Sequence, residues 1–300
     1  MVLAAISYPP IPIWEAGPLR FSLHGVFAAL GFLAGGWLAT KILTRRGFNG
    51  EAFQAVLTWA LVGSILGARY FTTPAALLGG TPLLEALNPL RGNFSIMGGF
   101  AGGILVGIWR MRKVGLPILA TLDAATVGLA LGTIVGRVGD LAIVEHLGRA
   151  TTVAWGYGVR PGYDLAPQHN GLECSSAVVD GLCAVPGSTD PGIYHHVAAY
   201  DLLGAAILML VLYQVARRQL HYGQLFWFWV AWYGFQRFTL DFMRIGNGDA
   251  TLGSITWNQA TGLIAGTAAL GLFVWFSRKP LVTAENDAAL RAGPAPVPVG

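Results

Sequence analysis

Charge is what this sequence has least of. Its 300 residues hold 19 lysines and arginines and 15 aspartates and glutamates, 11% of the chain against 54% hydrophobic side chains, where soluble domains carry about 25% charged residues. That shortage argues against a water-solvated globular chain. The apolar excess, with a mean hydropathy of +0.56, argues equally against disorder outside the C-terminal tail. Cysteine is nearly absent, being only Cys174 and Cys183, and no CxxC or HxxxH spacing accompanies the pair, so no metal site is read there. No face joins basic to aromatic residues, which leaves the net charge of +4 as anchoring to an inner leaflet and gives no nucleic-acid partner. Inverted repeats and paired broken helices are missing too, which speaks against a transporter.

What the chain does have is apolar length. A hydrocarbon core ~30 Å thick needs ~20 apolar residues per crossing helix. Residues 22–40 run without a charge and are followed by Lys41, Arg45 and Arg46. Because the basic cluster follows the apolar run, the segment is an uncleaved helix and not a secretory leader. Similar runs lie near 52–71, 94–109, 117–136, 197–216, 223–243 and 257–276. Lysine and arginine favour the cytoplasmic side. With the N-terminus outside, Lys41, Arg45, Arg46, Arg110, Arg112, Lys113, Arg217, Arg218, Arg278, Lys279 and Arg291 fall inside, whereas Arg20, Arg91, Arg137, Arg149, Arg160 and Arg244 fall outside. The expected fold is an all-α polytopic membrane protein of about seven transmembrane helices with a small extracytoplasmic head. Residues 1–279 form one transmembrane domain with the head inserted at about 137–196, and 280–300 are a disordered cytoplasmic tail.

The head contains Arg149, Arg160, Asp164, Glu173, Asp180, Asp190 and both cysteines, which in an oxidising compartment either close a short loop as a disulfide or stay free. Gly99, Gly103 and Gly107 repeat every four residues, as do Gly128, Gly132 and Gly136, a spacing that lets helix backbones approach closely in lipid.

Ionisable groups in or beside hydrocarbon are costly and mark function by default. Here they are Arg69, Asp123, Arg137, Asp140, Glu145, Asp201, Arg237 and Asp241. Arg137, Asp140, Glu145 and Gly148 share one face if the helix continues past residue 137. They then form either one site or an ion network at a span end. Arg237 and Asp241, four apart, are spaced for an ion pair. It either only permits burial of the arginine or holds a guanidinium ready for an anionic headgroup, since the arginine fork suits phosphate. Arg137 and Arg237 together would make a phosphate clamp. Among the histidines, His24 lies in the first span near its outer end, His146 adjoins Glu145, and His195 and His196 open the fifth span; His169 and His221 lie in loops.

The segment GRVGDLAIVEHLGR at 136–149 resembles the signature of the prolipoprotein diacylglyceryl transferase family, with Arg137, Gly139, Glu145 and Gly148 at the family spacing. GARY at 67–70, MGG at 97–99, LD at 122–123, YDLL at 200–203 and YGFQRFTLDFMR at 233–244 follow in family order, and the resemblance covers roughly residues 20–278. It implies transfer of a diacylglyceryl group from phosphatidylglycerol to the lipobox cysteine thiol of a prelipoprotein in the bacterial inner membrane, with no cofactor. By resemblance Arg137, Arg237 and Glu145 are catalytic, and Gly98, Gly99, Gly148, Asp241 and Arg69 bind substrate; His24 and Asp140 join the catalytic set as the residues that could replace a base missing from the family pattern. Four positions depart from the family pattern: Met97 stands where a histidine is common, His24 where tyrosine is usual, Asp140 where the signature has asparagine, and Asp241 where glutamate is usual. Met97 cannot accept a proton, so the chain is either a transferase whose base lies elsewhere or a non-catalytic, lipid-binding relative that keeps the arginine clamp.

Overall fold

The computed structural model describes residues 6–16, 19–88, 95–165, 172, 174, 177–218, 220–245, 251–252 and 254–292. Arg91, His169, Glu173, the side chain of Arg20 and the tail from 293 lie outside the described residues. A short hairpin of β1 (Trp14–Ala16) and β2 (Leu19–Phe21) leads into α1 (Leu23–Arg45). Next come α2 (Gly50–Tyr70), the short α3 (Thr73–Leu78) and α4 (Leu83–Ala86), α5 (Ile96–Val114) and α6 (Ile118–Ala142). The polar insertion contributes β3 (Leu147–Ala150), β4 (Tyr157–Gly158), β5 (Val178–Val179), β6 (Leu182–Cys183) and β7 (Ile193–His196). The chain then returns through α7 (Val197–Val215), α8 (Gln224–Asp241), the β8 (Thr251–Leu252) and β9 (Ile255–Thr256) hairpin, α9 (Trp257–Trp275) and α10 (Ala284–Ala292).

Each expected span is a helix. Among the described residues, α1, α2, α6, α7 and Trp257–Arg278 are long and apolar enough to cross a membrane, five in all. The other two long helices are less apolar: α5 ends in Arg110, Arg112 and Lys113, and α8 carries Gln224, Gln236, Arg237 and Asp241 among its aromatics. The insertion corrects the all-α expectation. It contains a three-stranded antiparallel sheet in the order β3-β7-β4, packed around Val144, Leu147, Tyr157, Val159, Leu165, Cys183 and Tyr194. Ile6 adds a parallel bridge to Tyr157, and Cys174 and Cys183 form a disulfide.

Glycine brings the helices into register. In α1, Gly31 and Gly35 face Gly132 and Gly128 of α6, close enough that a side-chain carbon at Gly132 would lie 2.9 Å from the Gly31 carbonyl oxygen. Gly136, the third member of that series, has nothing within 4 Å and faces open space. In α5, Gly98 and Gly102 meet the backbone of Gly67 and Gly63 of α2, and Gly103 abuts Ser64 and the Ala60 carbonyl of the same helix; Gly99 and Gly107 make ordinary contacts. Asp123 is also structural. It accepts hydrogen bonds from the Gly223 and Phe226 amides at 2.7 and 3.0 Å, satisfying first-turn donors of α8.

The tail expectation is corrected over 280–292. Asp287 of α10 accepts from Arg46 Nε at 2.8 Å, Arg46 Nη2 at 2.6 Å and the Tyr222 hydroxyl at 2.5 Å. The Pro/Ala/Gly-rich end hides a nine-residue stretch, AENDAALRA, in which the alanines, Glu285, Leu290 and Arg291 are good helix formers, and the buried carboxylate fastens it to the end of α1.

Candidate active site

The α6 helix runs past the expected span end at 136 and includes Arg137 and Asp140. These charges stay inside because each has a partner. Arg137 is buried and donates through Nη1 to Asp140 at 2.5 Å; its Nη2 forms an ion pair with Asp201 of α7. One planar fork thus ties two helices together, a geometry lysine lacks. The other oxygen of Asp140 meets His24 Nδ1, and Glu145 lies 3.4 Å from the same nitrogen.

Glu145 does not reach this cluster along a helix face, so the expected single face of Arg137, Asp140, Glu145 and Gly148 is corrected. The α6 helix stops at Ala142, and Val144 and His146 have φ of 53° and 62°. The amide of Glu145 donates to the Asp140 carbonyl at 2.8 Å and that of Val144 to Leu141 at 3.1 Å. This is the paired closure of a Schellman motif, with valine where glycine is usual. A β-branched residue in the left-handed region costs about 1–2 kcal/mol. Burial of Val144 in the head core offsets that cost, and the reversal aims Glu145 back at His24.

A second group lies beside the first. Asp241 receives a hydrogen bond from the Thr256 hydroxyl at 2.5 Å, with Arg244 at 3.4 Å and Arg237 at 3.8 Å. The expected Arg237–Asp241 pair is therefore present but long. Among the described residues it is the only ion pair of Arg237, so most of that guanidinium's donors are not engaged by carboxylate. Arg244 also meets His146 at 3.2 Å. Burial and the Arg244 charge hold the His146 imidazole well below its ordinary value, with Arg137 and Arg237 acting in the same sense; both arginines thus bear on one neighbourhood. Gly148 permits close passage of the Met243 carbonyl, and the Arg149 amide donates to it at 2.8 Å.

A cavity of about 370 Å³ opens from this cluster between α1, α2, α5, α6 and α8. At one end are His24, Arg137, Asp140 and Tyr233; apart from Ser64 and Thr133 the rest is apolar, past Gly136 and Gly103 down to Met111 and Phe226. A few polar groups at one end of an apolar cleft of this size are typical of a small-molecule site.

The remaining expected site residues fall elsewhere. Arg69 is buried and donates to the main-chain carbonyls of Ala86 and Asn88, at 3.0 and 3.1 Å. Gly98 packs on Phe71 and Gly67, and Gly99 touches Ala68 and Ser64. Met97 is half-buried and is not among the residues lining the cavity. Two contributors were not assigned to the site from sequence. Asp201 had the signal of a charge inside a span; Gly139 had only its place in the signature. His24, Asp140 and Glu145 bring one ligand atom each to within 4.8 Å of one another, a grouping geometrically able to hold a metal, although Asp140 already spends its oxygens on Arg137 and His24.

Residues 12–275 match the sequence profile of a family described as prolipoprotein diacylglyceryl transferase. This chain belongs to that family. It is 32% identical over 242 residues to a phosphatidylglycerol–prolipoprotein diacylglyceryl transferase of Thermus thermophilus, covering 76% of this chain and 81% of the relative. A protein of the same name from Geobacter sulfurreducens is 30% identical over 290 residues, 90% of this chain and 92% of the relative. One from Nocardia farcinica is 29% identical over 92% of this chain, which spans 55% of that relative's length.

Proposed function

We propose that the chain transfers the diacylglyceryl group of phosphatidylglycerol to the lipobox cysteine thiol of prelipoproteins, releasing glycerol phosphate. The protein is a multi-pass component of the bacterial cytoplasmic membrane. In this reading all seven long helices cross it, the N-terminus and the sheet-containing head lie outside, and the C-terminus is cytoplasmic. The observation that carries the reading is the cavity with Arg137 at its polar end and Arg237 in the adjoining group: acyl chains suit its apolar length, and a phosphodiester suits the guanidinium donors beside its polar end.

Arg137 and Arg237 have different parts. Arg137 is saturated by two carboxylates, so it contributes geometry, tying α6 to α7 at the site. Arg237, with donors to spare, is the arginine that grips the phosphate. Donors preorganised where charge develops commonly contribute more to such catalysis than any other single effect.

The test is transfer of labelled diacylglyceryl from phosphatidylglycerol vesicles to a lipobox peptide by the purified protein and by Arg237→Ala. Transfer that falls at least ~100-fold in the variant is expected. Tight phosphatidylglycerol binding without transfer in wild type would establish the lipid-binding alternative, and full activity of Arg237→Ala would refute the assigned grip.

A further inference from the structure

We propose that His24 takes the proton of the attacking thiol, held in position by Asp140. The inference rests on the transferase reading above and names the base of that reaction. A thiol attacks as its thiolate, so a proton acceptor is needed where the phosphate end of the lipid sits. The groups lining that end are His24, Arg137, Asp140 and Tyr233. Arginine has no acceptor, and Asp140 is divided between Arg137 and His24. Among the described histidines, only His24 lines the cavity. His195 is bonded to Tyr200, His196 to Tyr8 and His146 to Arg244, while His221 meets the Lys279 carbonyl.

The orientation of His24 follows from its neighbours. Nδ1 faces two carboxylates, the hydrogen-bonded Asp140 and Glu145 at 3.4 Å, so in the neutral ring Nδ1 bears the hydrogen and Nε2 carries the lone pair. Among the described residues no hydrogen bond is made by Nε2. The side chain is 43% exposed, beside an Asp140 that is 2% exposed: the acceptor nitrogen is reachable and its orienting carboxylate is not. Two features of the fold put it there. Ser22 caps α1, its hydroxyl accepting from the Gly25 amide at 3.2 Å, and Gly139 lets the first turn of α1 sit directly on α6.

In the reaction the thiol proton passes to His24 Nε2. The sulfur attacks the glyceryl carbon that bears the phosphate ester oxygen, the C–S bond forms, and the C–O bond breaks with its electron pair leaving on phosphate. His24 then gives its proton to the glycerol phosphate, which leaves as the monoanion. Asp140 is a positioning residue: it touches the imidazole and not the substrate.

The test uses the full chain in phosphatidylglycerol vesicles with two lipobox peptides, one with cysteine and one with selenocysteine in its place. A selenol is already ionised at neutral pH and needs no base. Loss of general-base catalysis is worth roughly 10²–10⁴-fold. His24→Gln should lower kcat for the cysteine peptide by that factor with little change in KM, and should act nearly normally on the selenocysteine peptide. The groups facing the imidazole are Asp140 and Arg137 of α6 and Glu145 of the following turn, so Asp140→Asn should shift the acid limb of the cysteine pH–rate profile. Equal loss on both peptides would mean a structural role and would overturn the proposal, as would cysteine transfer within about 3-fold of wild type. Wild-type protein gives a check independent of variant folding: its acid limb with cysteine should be missing or displaced with selenocysteine, and the same limb with both peptides refutes the base. Activity lost to a chelator and restored by a divalent cation would assign His24, Asp140 and Glu145 to a metal instead. A wild-type protein that transfers to neither peptide refutes the transferase reading and this one with it. An active wild type with an unimpaired His24→Gln refutes this one alone.

Discussion

Gly139→Ala tests how closely the site depends on the contact between α1 and α6. A methyl group at Gly139 would lie 2.7 Å from the Leu23 carbonyl oxygen, 2.8 Å from Phe27 Cβ and 2.9 Å from His24 Cα. Ordinary van der Waals contact begins near 3.4 Å, and these atoms are backbone or Cβ, so rotating a side chain cannot relieve the clash. The first turn of α1 has to retreat by roughly 0.5–0.7 Å, and His24 goes with it. Overpacking of this kind costs about 1–3 kcal/mol, and a misplacement near 1 Å at a catalytic group costs about 10²-fold in rate. Thermal melting followed by tryptophan fluorescence, alongside the transfer assay, should show a lowered Tm and a kcat down roughly 10- to 100-fold. Gly271→Ala is the control: nothing lies within 4 Å of that position in α9, and alanine there should gain up to about 1 kcal/mol from helix propensity with transfer unchanged. Gly139→Ala with wild-type melting and transfer would refute the idea that this glycine sets the position of His24.

Two further predictions concern the ends of the bundle. Asp287→Asn removes a carboxylate that accepts three hydrogen bonds from Arg46 and Tyr222 and should weaken docking of α10 by about 2–3 kcal/mol, read as faster hydrogen exchange over residues 284–292. Burial pushes the Asp287 carboxyl up, but Arg46 and Tyr222 outweigh it and hold it below the ordinary value; the docking should therefore be constant from about pH 5 to 8 and loosen only as pH falls through that depressed value. His196, at the base of the head, loses its contribution in the same direction but at higher pH. Burial lowers its pKa to about 4 from an unfolded value near 6.5, so its contribution is complete above 6.5 and is lost as pH falls towards 4, amounting to about 2 kcal/mol by pH 5. Proteolysis of the 147–196 insertion should accelerate between pH 7 and 5, and His196→Gln should flatten that dependence; equal acceleration in both proteins would refute it.

The helices were legible because apolar runs bounded by Lys and Arg need no tertiary information. The end of α6 was not, since Arg137 and Asp140 look like the edge of a span until Asp201, far along the chain, is known to neutralise the arginine. The turn after it was hidden for a local reason. Glycine at position 144 would have announced a helix stop, whereas Val144 occupies the left-handed position through burial that only the folded head provides. The four-residue spacing at 99, 103 and 107 suggested close packing along α5, and Gly103 does abut Ser64 and Ala60 of α2, but the closest approaches of backbone to backbone lie at Gly98 and Gly102. Spacing alone does not show how adjacent glycines share the contact with a neighbour. The charges of the candidate site were visible as misplaced ions, but their pairing was not, except for Arg237 and Asp241, where helical spacing suffices.

The pairing bears on how an anionic lipid is handled. Counted formally, Arg137, Arg237 and Arg244 stand against Asp140, Asp201, Glu145 and Asp241, so three positive charges face four negative ones. A site built only to bind a phosphodiester would not carry that excess of carboxylate. Binding can still be favourable locally, because Arg137 faces two carboxylates whereas Arg237 is 3.8 Å from its one. The excess becomes useful during the reaction. As the C–O bond breaks, phosphate gains a second negative charge at the same time as the thiol proton reaches His24, and the cluster moves from one net negative charge to none. Stabilisation that appears only as charge develops lowers the barrier without tightening the ground state. On this account Asp140 does not simply weaken Arg137: by sharing its two oxygens between the arginine and the imidazole, it couples the arrival of the proton to the departure of the phosphate.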